Sequence, residues 1–285
     1  MNFRDFYQDG VCRYSFEIFP PKGPEGIAGL LEALRELAIF DPAFISCTYG
    51  AMGSTQELTR DLVIRIQREL HLTAAFHFTC VGSGRANIKS YVESLRQEGL
   101  GLIVALRGDP PQGMDQFVKP DDGFAHANDL VAYLREIGGF SLAVAGYPEG
   151  HIECVDKQTD LLHLKRKVDA GADVVITQLF FDNHDFYDFV DRARKIGIQV
   201  PIIPGIMPIV NLKQVEKITR MCGAKMPQVL HQKLLAHQED GEVVRQLGIE
   251  HAAQQCQDLI RHKAAGIHFY TLNKAYSVKR VLQAL

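Results

Sequence analysis

The sequence predicts an α/β fold, a (β/α)8 TIM barrel, on three observations. Eight short apolar runs are spread along the chain, amphipathic segments separate them, and 285 residues suit a closed barrel of roughly 250. The runs are rich in β-branched, aromatic and aliphatic residues, as strands are. In order they cover Tyr14 to Phe19, Phe44 to Tyr49, Ala74 to Cys80 and Leu102 to Arg107, then Ser141 to Tyr147, Val174 to Leu179, Pro201 to Ile206 and Ile267 to Leu272. Between them, GIAGLLEALRELAIF, LTRDLVIRIQREL, ANDLVAYLREIG and TDLLHLKRKVDAG place apolar residues at i, i+3, i+4 and i+7, the spacing of a helix with one buried face. The last of these closes on Gly171, a helix stop. A doubly wound sheet would usually end at about five or six strands. No linker rich in Pro, Gly or Ser divides the chain, so residues 1–285 are expected to form one catalytic barrel. Residues 211–265 hold more than one helix and interrupt the repeat before the last strand.

Composition narrows the function classes. With 46% hydrophobic and 23% charged residues the chain can bury a large core. A net charge of −3 supplies no global basic field for a nucleic-acid backbone. Six scattered cysteines form no C-x-x-C pair and are expected to be reduced thiols in the cytosol. The N-terminus MNFRDFYQDG lacks an apolar signal stretch, no segment reaches a membrane span, and a cytoplasmic location is expected.

In a barrel of this type the chemistry sits at the C-terminal ends of the strands. The first strand, YSFEIFPPK, sets Glu17 in an apolar run, so its carboxylate is either paired or has a raised pKa. The second ends in SCTYGAMGST, where Thr48 and Tyr49 meet a glycine-containing loop. The third carries His77, either a satisfied core residue or a ligand contact. The fourth releases Arg107, Gly108 and Asp109 before a proline pair, and the arginine and aspartate can also simply neutralise each other. The fifth ends in Tyr147 and His151, followed by a helix bearing Asp160, His163, Arg166 and Lys167. Those cations can hold a phosphate or form a solvated helix face. The sixth offers Gln178, an amide that both donates and accepts, and the last reads HFYTLNK. Gly82 and Gly84 lack the third glycine of a dinucleotide fingerprint, there is no P-loop, and no histidine spacing suggests a catalytic metal.

Taken together, FEIFPPK, TYGAMGST, LRGDPP, YPEGH, DLLHLKRKVDAGAD, ITQLFFD, PGIMPI and HFYTLN resemble the catalytic barrel of methylenetetrahydrofolate reductases over nearly the whole chain. The resemblance implies FAD, NADH or NADPH as hydride donor, and reduction of 5,10-methylenetetrahydrofolate to 5-methyltetrahydrofolate in two half-reactions through the reduced flavin. It implies Glu17 as general acid and assigns Tyr49, Ala51, His77, Arg107, Gly108, Asp109, Ala127, Tyr147, His151, Asp160, Arg166 and Lys167 to the FAD site. It makes Asp109 a neighbour of both flavin and pterin. Thr48 and Gln178 match positions serving nicotinamide or folate, and Gln214 matches one lining the folate site.

Three residues depart from the pattern. His163 stands where many relatives have asparagine at the FAD, Lys274 where some have a folate-contacting arginine, and Ile218 where some have a stacking aromatic. A long regulatory extension, and with it control by adenosylmethionine, is not expected. The expected partners are the two small-molecule substrates and further copies of the chain, with neither nucleic acid nor membrane. Two other readings stay open: a flavin-independent barrel acting on a pterin or phosphorylated substrate, and a folate-binding or electron-transfer subunit of a larger complex.

Overall fold

The computed structural model describes residues 1–21, 23, 25–48, 54–108 and 117–285. Eight parallel strands close into a barrel in chain order, the last pairing with the first. They are β1 (Arg13–Ile18), β2 (Phe44–Cys47), β3 (Ala74–Thr79), β4 (Leu102–Leu106), β5 (Ser141–Gly146), β6 (Val174–Leu179), β7 (Ile202–Ile206) and β8 (Gly266–Tyr270). Around them run α1 (Glu25–Ala38), α2 (Ser54–Leu70), α3 (Arg85–Gln97), α4 (Ala127–Ile137), α5 (Lys157–Asp169) and α6 (Asn183–Lys195). The interval before β8 holds α7 (Leu212–Cys222), α8 (Gln228–Ala236) and α9 (Gly241–Arg261), and α10 (Ala275–Leu282) follows the last strand.

Several strands stop a residue or two short of the apolar runs that announce them. Arg107 and Tyr147 thereby fall just past the last residue of β4 and β5. Beyond the ladder the backbone no longer fixes which face a side chain takes, and both reach the mouth of the barrel.

Two apolar layers follow from the period-2 alternation of strands and the 3.6-residue repeat of helices. Inside the barrel pack Phe44, Ala75, Leu102, Val104, Ala143 and Val174. Their N-terminal end is closed by a short 3-10 helix, Phe3–Tyr7, whose Phe3 ring meets Phe44 edge-on at 5.0 Å. Outside, residues such as Phe16, Leu34, Ile103 and Phe189 fill the space between sheet and helices. A third cluster, including Met207, Ile209, Leu230 and Val244, joins α7, α8 and the start of α9 to the ends of β6 and β7.

Polar groups tie the closed end together. The buried Asp173 carboxylate accepts from the Ser141 hydroxyl at 2.8 Å, the Leu142 N–H at 2.8 Å and the Arg135 guanidinium at 2.5 Å. Ser141 Oγ in turn accepts the Phe3 N–H at 2.9 Å, which fixes the plug. Among the described residues no helix is long and apolar enough to cross a membrane.

Candidate active site

At the C-terminal mouth of the barrel lies a cavity of about 800 Å³. Glu17, Thr48, His77, Arg107, Gly108 and Ala127 line it from the first four strands and the start of α4. Tyr147, His151, Asp160, His163, Arg166 and Lys167 line it from β5 and α5, and Gln178 from β6. Residues dispersed over 160 positions of sequence therefore meet because parallel strands present all their C-terminal ends on one face. Tyr49, Ala51 and Asp109 lie outside the described residues. Gln214 and Lys274 are exposed and do not line the cavity; each lies near a residue that does, Gln214 one helical turn before Ile218 and Lys274 two residues after Leu272.

Glu17 forms the floor. Strand alternation turns Ser15 and Glu17 to the barrel interior, where Glu17 Oε2 stands 3.4 Å from His77 Nε2 and 3.5 Å from His268 Nε2. Of the two possibilities the sequence leaves open, the carboxyl is paired. Burial pushes its pKa up, but the facing charge of His77 and the hydrogen bonding and charge of His268 outweigh this and hold it below the usual value. Burial is the main cause of a lowered pKa at His77, opposed by Glu17 and reinforced by His268. The two shifts are coupled, because the charge of His77 lowers Glu17 and the charge of Glu17 raises His77.

The opposite wall is basic and partly dry. Lys167 Nζ donates to the Ala145 carbonyl at 2.5 Å and stands 5.7 Å from the Tyr147 ring centre. Burial brings its pKa down to about 8, against the pull of Asp160. Asp160 in turn is raised by burial and held back chiefly by Lys167. Arg166, its neighbour on α5, is exposed. Arg107 grips the Glu153 carboxylate through two bonds of 2.5 and 2.7 Å, with its guanidinium 5.7 Å from the Phe117 ring centre.

Gly108 has φ +85°, and a Cβ there would come within 2.7 Å of Val81 and 2.9 Å of Thr79, so only glycine keeps this turn close to the wall. The third side is apolar, made by Leu179, Met207, Ile218 and Leu272 with Tyr270. The Tyr270 hydroxyl donates to the Thr177 carbonyl at 2.7 Å. Its ring occupies the space that a side chain at residue 205 would take: a Cβ on Gly205 would lie 2.7 Å from it.

A cavity with one cationic wall, one aromatic and aliphatic wall and a carboxyl floor suits a large flat ligand with an anionic arm, and sets a titratable carboxyl at its base. Sequence reasoning missed Ser15, Glu153, His268 and Tyr270. For the last two the signal was present: His268 and Tyr270 alternate in HFYT as Ser15 and Glu17 do in YSFE, and β8 pairs with β1 in that register.

The family model described as methylenetetrahydrofolate reductase matches residues 2–285. The chain is 39% identical to methylenetetrahydrofolate reductase (NADH) 1 of Arabidopsis thaliana over 98% of its own length and 49% of the plant protein's. It is 38% identical to 5,10-methylenetetrahydrofolate reductase of Escherichia coli, over 93% of this chain and 88% of that one. It thus spans about half the length of the plant relatives it matches. Among solved structures, a Clostridium thermocellum protein described as binding two copies of 5-methyl-5,6,7,8-tetrahydrofolic acid superposes with a TM-score of 0.66. That match covers 96% of this chain and 94% of the other at 12% identity, a likeness of fold alone.

Proposed function

The chain belongs to the methylenetetrahydrofolate reductase family, and on that premise we propose that it reduces 5,10-methylenetetrahydrofolate to 5-methyltetrahydrofolate, with NADH or NADPH as hydride source and FAD as bound carrier. The observation that carries the reading is the Glu17 carboxyl between two imidazoles at the floor of a cavity whose far wall holds a half-buried lysine.

The residues present fit FAD. Lys167 is a half-buried cation facing the cavity, and Arg166 extends the charge outward on the same helix, so the two would hold a diphosphate. Gly108 keeps the wall free of a Cβ where a ring system would lie close, with His77, Ala127, Tyr147, His151, Asp160 and His163 around it. Arg107 belongs to this set, as do Tyr49, Ala51 and Asp109. Asp109, as a carboxylate, opposes negative charge beside it and so favours giving electrons away. When bound, the flavin supplies the hydride chemistry.

The chain supplies position and a proton. Thr48, Gln178 and Tyr270 flank the space left for nicotinamide and then for folate, with Gln214 and Lys274 reaching a ligand that extends past the mouth. Glu17 delivers a proton from its carboxyl oxygen to the folate amine nitrogen as the five-membered ring opens. A carboxyl held low must take up its proton before it can donate it. A folate that displaces water removes solvation from the carboxylate, which raises its pKa.

Two anaerobic steps test the reading. The yellow protein is mixed with each nicotinamide, and bleaching of the flavin band is expected; adding methylenetetrahydrofolate then restores the colour. A protein without flavin, or a bleached one that folate does not reoxidise, overturns it.

A further inference from the structure

Strand β6 does not keep a regular register beside β7. From Ile176 to Leu179 it takes three steps where β7 takes two, from Ile203 to Gly205, so one extra residue bulges out of the ladder. Gln178 lies inside this stretch. A bulge breaks the local backbone pairing, and here side chains meet the groups it frees. The Gly205 N–H donates to the hydroxyl of the fully buried Thr177 at 2.9 Å. The Thr177 carbonyl accepts the Tyr270 hydroxyl at 2.7 Å. The N–H of the buried Leu179 donates to the side-chain oxygen of Gln178 at 2.9 Å. The last of these bonds fixes the sense of the amide. A backbone N–H can only donate, so the atom it meets is the oxygen; turning the amide over would set NH2 against N–H and leave a buried donor unpaired. Gln178 lines the cavity, and no described residue accepts a hydrogen bond from its NH2 group.

We propose that Thr177 is a positioning residue that acts through Gln178, holding its amide with the NH2 offered to the ligand, so that this point of the site recognises a hydrogen-bond acceptor on the folate. Such an acceptor is a carbonyl oxygen or an unprotonated ring nitrogen. The inference rests on the reading of Gln178 as a folate contact. By taking the Gly205 N–H, Thr177 holds the bulge in which Gln178 bonds back onto Leu179. Valine would fill a similar volume but leave that N–H without its acceptor in a dry interior, and the two strands would have to shift to pair it. An amide of fixed sense also discriminates. A ligand atom that carries a hydrogen at this point meets donor with donor, and neither group is then paired.

Two readings test this. The first is hydrogen exchange of the Leu179 amide, followed by NMR in the full, ligand-free chain. Exchange is expected to stay slow in Gln178→Glu, which keeps an oxygen for that N–H, and in Thr177→Ser, which keeps the hydroxyl. It should be roughly tenfold faster in Gln178→Met, Thr177→Val and Thr177→Ala. The second is affinity for 5-methyltetrahydrofolate, read from the flavin spectrum of the loaded protein. Thr177→Val is expected to bind on the order of tenfold more weakly with flavin content retained, and Thr177→Ser to recover. Gln178→Glu and Gln178→Met should both bind weakly at neutral pH. As pH falls, only the glutamate variant should approach the parent, because its protonated acid donates again. Unchanged Leu179 exchange in the folded Thr177 variants overturns the proposal, as does a Gln178→Glu variant that binds folate best as the carboxylate. If Gln178→Met binds folate as the parent does while exchange follows the stated order, the folate contact falls and the fixed amide stands.

Discussion

The Lys167 ammonium donates to the Ala145 carbonyl at 2.5 Å from within the cavity wall, and burial leaves its pKa at about 8. An anionic ligand binds the charged form, so binding raises that pKa. Flavin affinity is then constant below pH 8 and falls as pH rises above it, by at most about tenfold per unit. Flavin fluorescence quenching titrated from acid to alkaline pH measures this. Lys167→Met is expected to bind weakly with no such slope, and a flat profile in the unaltered protein would remove Lys167 from the diphosphate site.

Gly205→Ala tests the apolar wall. The new Cβ would stand 2.3 Å from the Thr177 carbonyl oxygen and 2.7 Å from the Tyr270 ring, so both the β6 backbone and the ring must move and the bond between them break. The folate KM should rise roughly tenfold, the worth of about one hydrogen bond, with flavin content retained. Tyr270→Phe, which keeps the ring, should show a smaller rise. Equal loss of flavin and folate binding in both would make Tyr270 a general packing residue.

Asp173→Ala probes stability at the opposite end. Removing the carboxylate strips partners from Arg135, Ser141 and the Leu142 N–H at once. A cost of about 3 kcal/mol, or roughly 6–12 °C in melting temperature, is expected, with the flavin spectrum of the folded fraction unchanged. A melting temperature within about 2 °C of the parent's would show that the network contributes little.

The barrel was legible because a strand buried on both faces reads as an unbroken apolar run, and eight such runs alternate with amphipathic segments. Glu17 and Gln178 stood out for the same reason, as polar groups inside such runs. His268 did not, because a histidine in an apolar strand usually signifies a satisfied core residue, and its Ser15 partner lies 253 positions away. Glu153 was hidden differently: it follows His151 in a loop, and only the folded chain turns it onto Arg107. Gln214 and Lys274 were read from resemblance, which gives alignment but not reach, and both are exposed and lie outside the cavity lining.

Glu17→Gln is the most direct measurement. It keeps the volume of the side chain and part of its hydrogen bonding but removes the acid. In stopped-flow absorbance the variant should remain yellow and bleach with its nicotinamide as the parent does, while reoxidation by methylenetetrahydrofolate slows by about 10²–10⁴-fold. A variant that reduces folate at the parental rate, or one that loses both half-reactions alike, would contradict Glu17 as the proton donor.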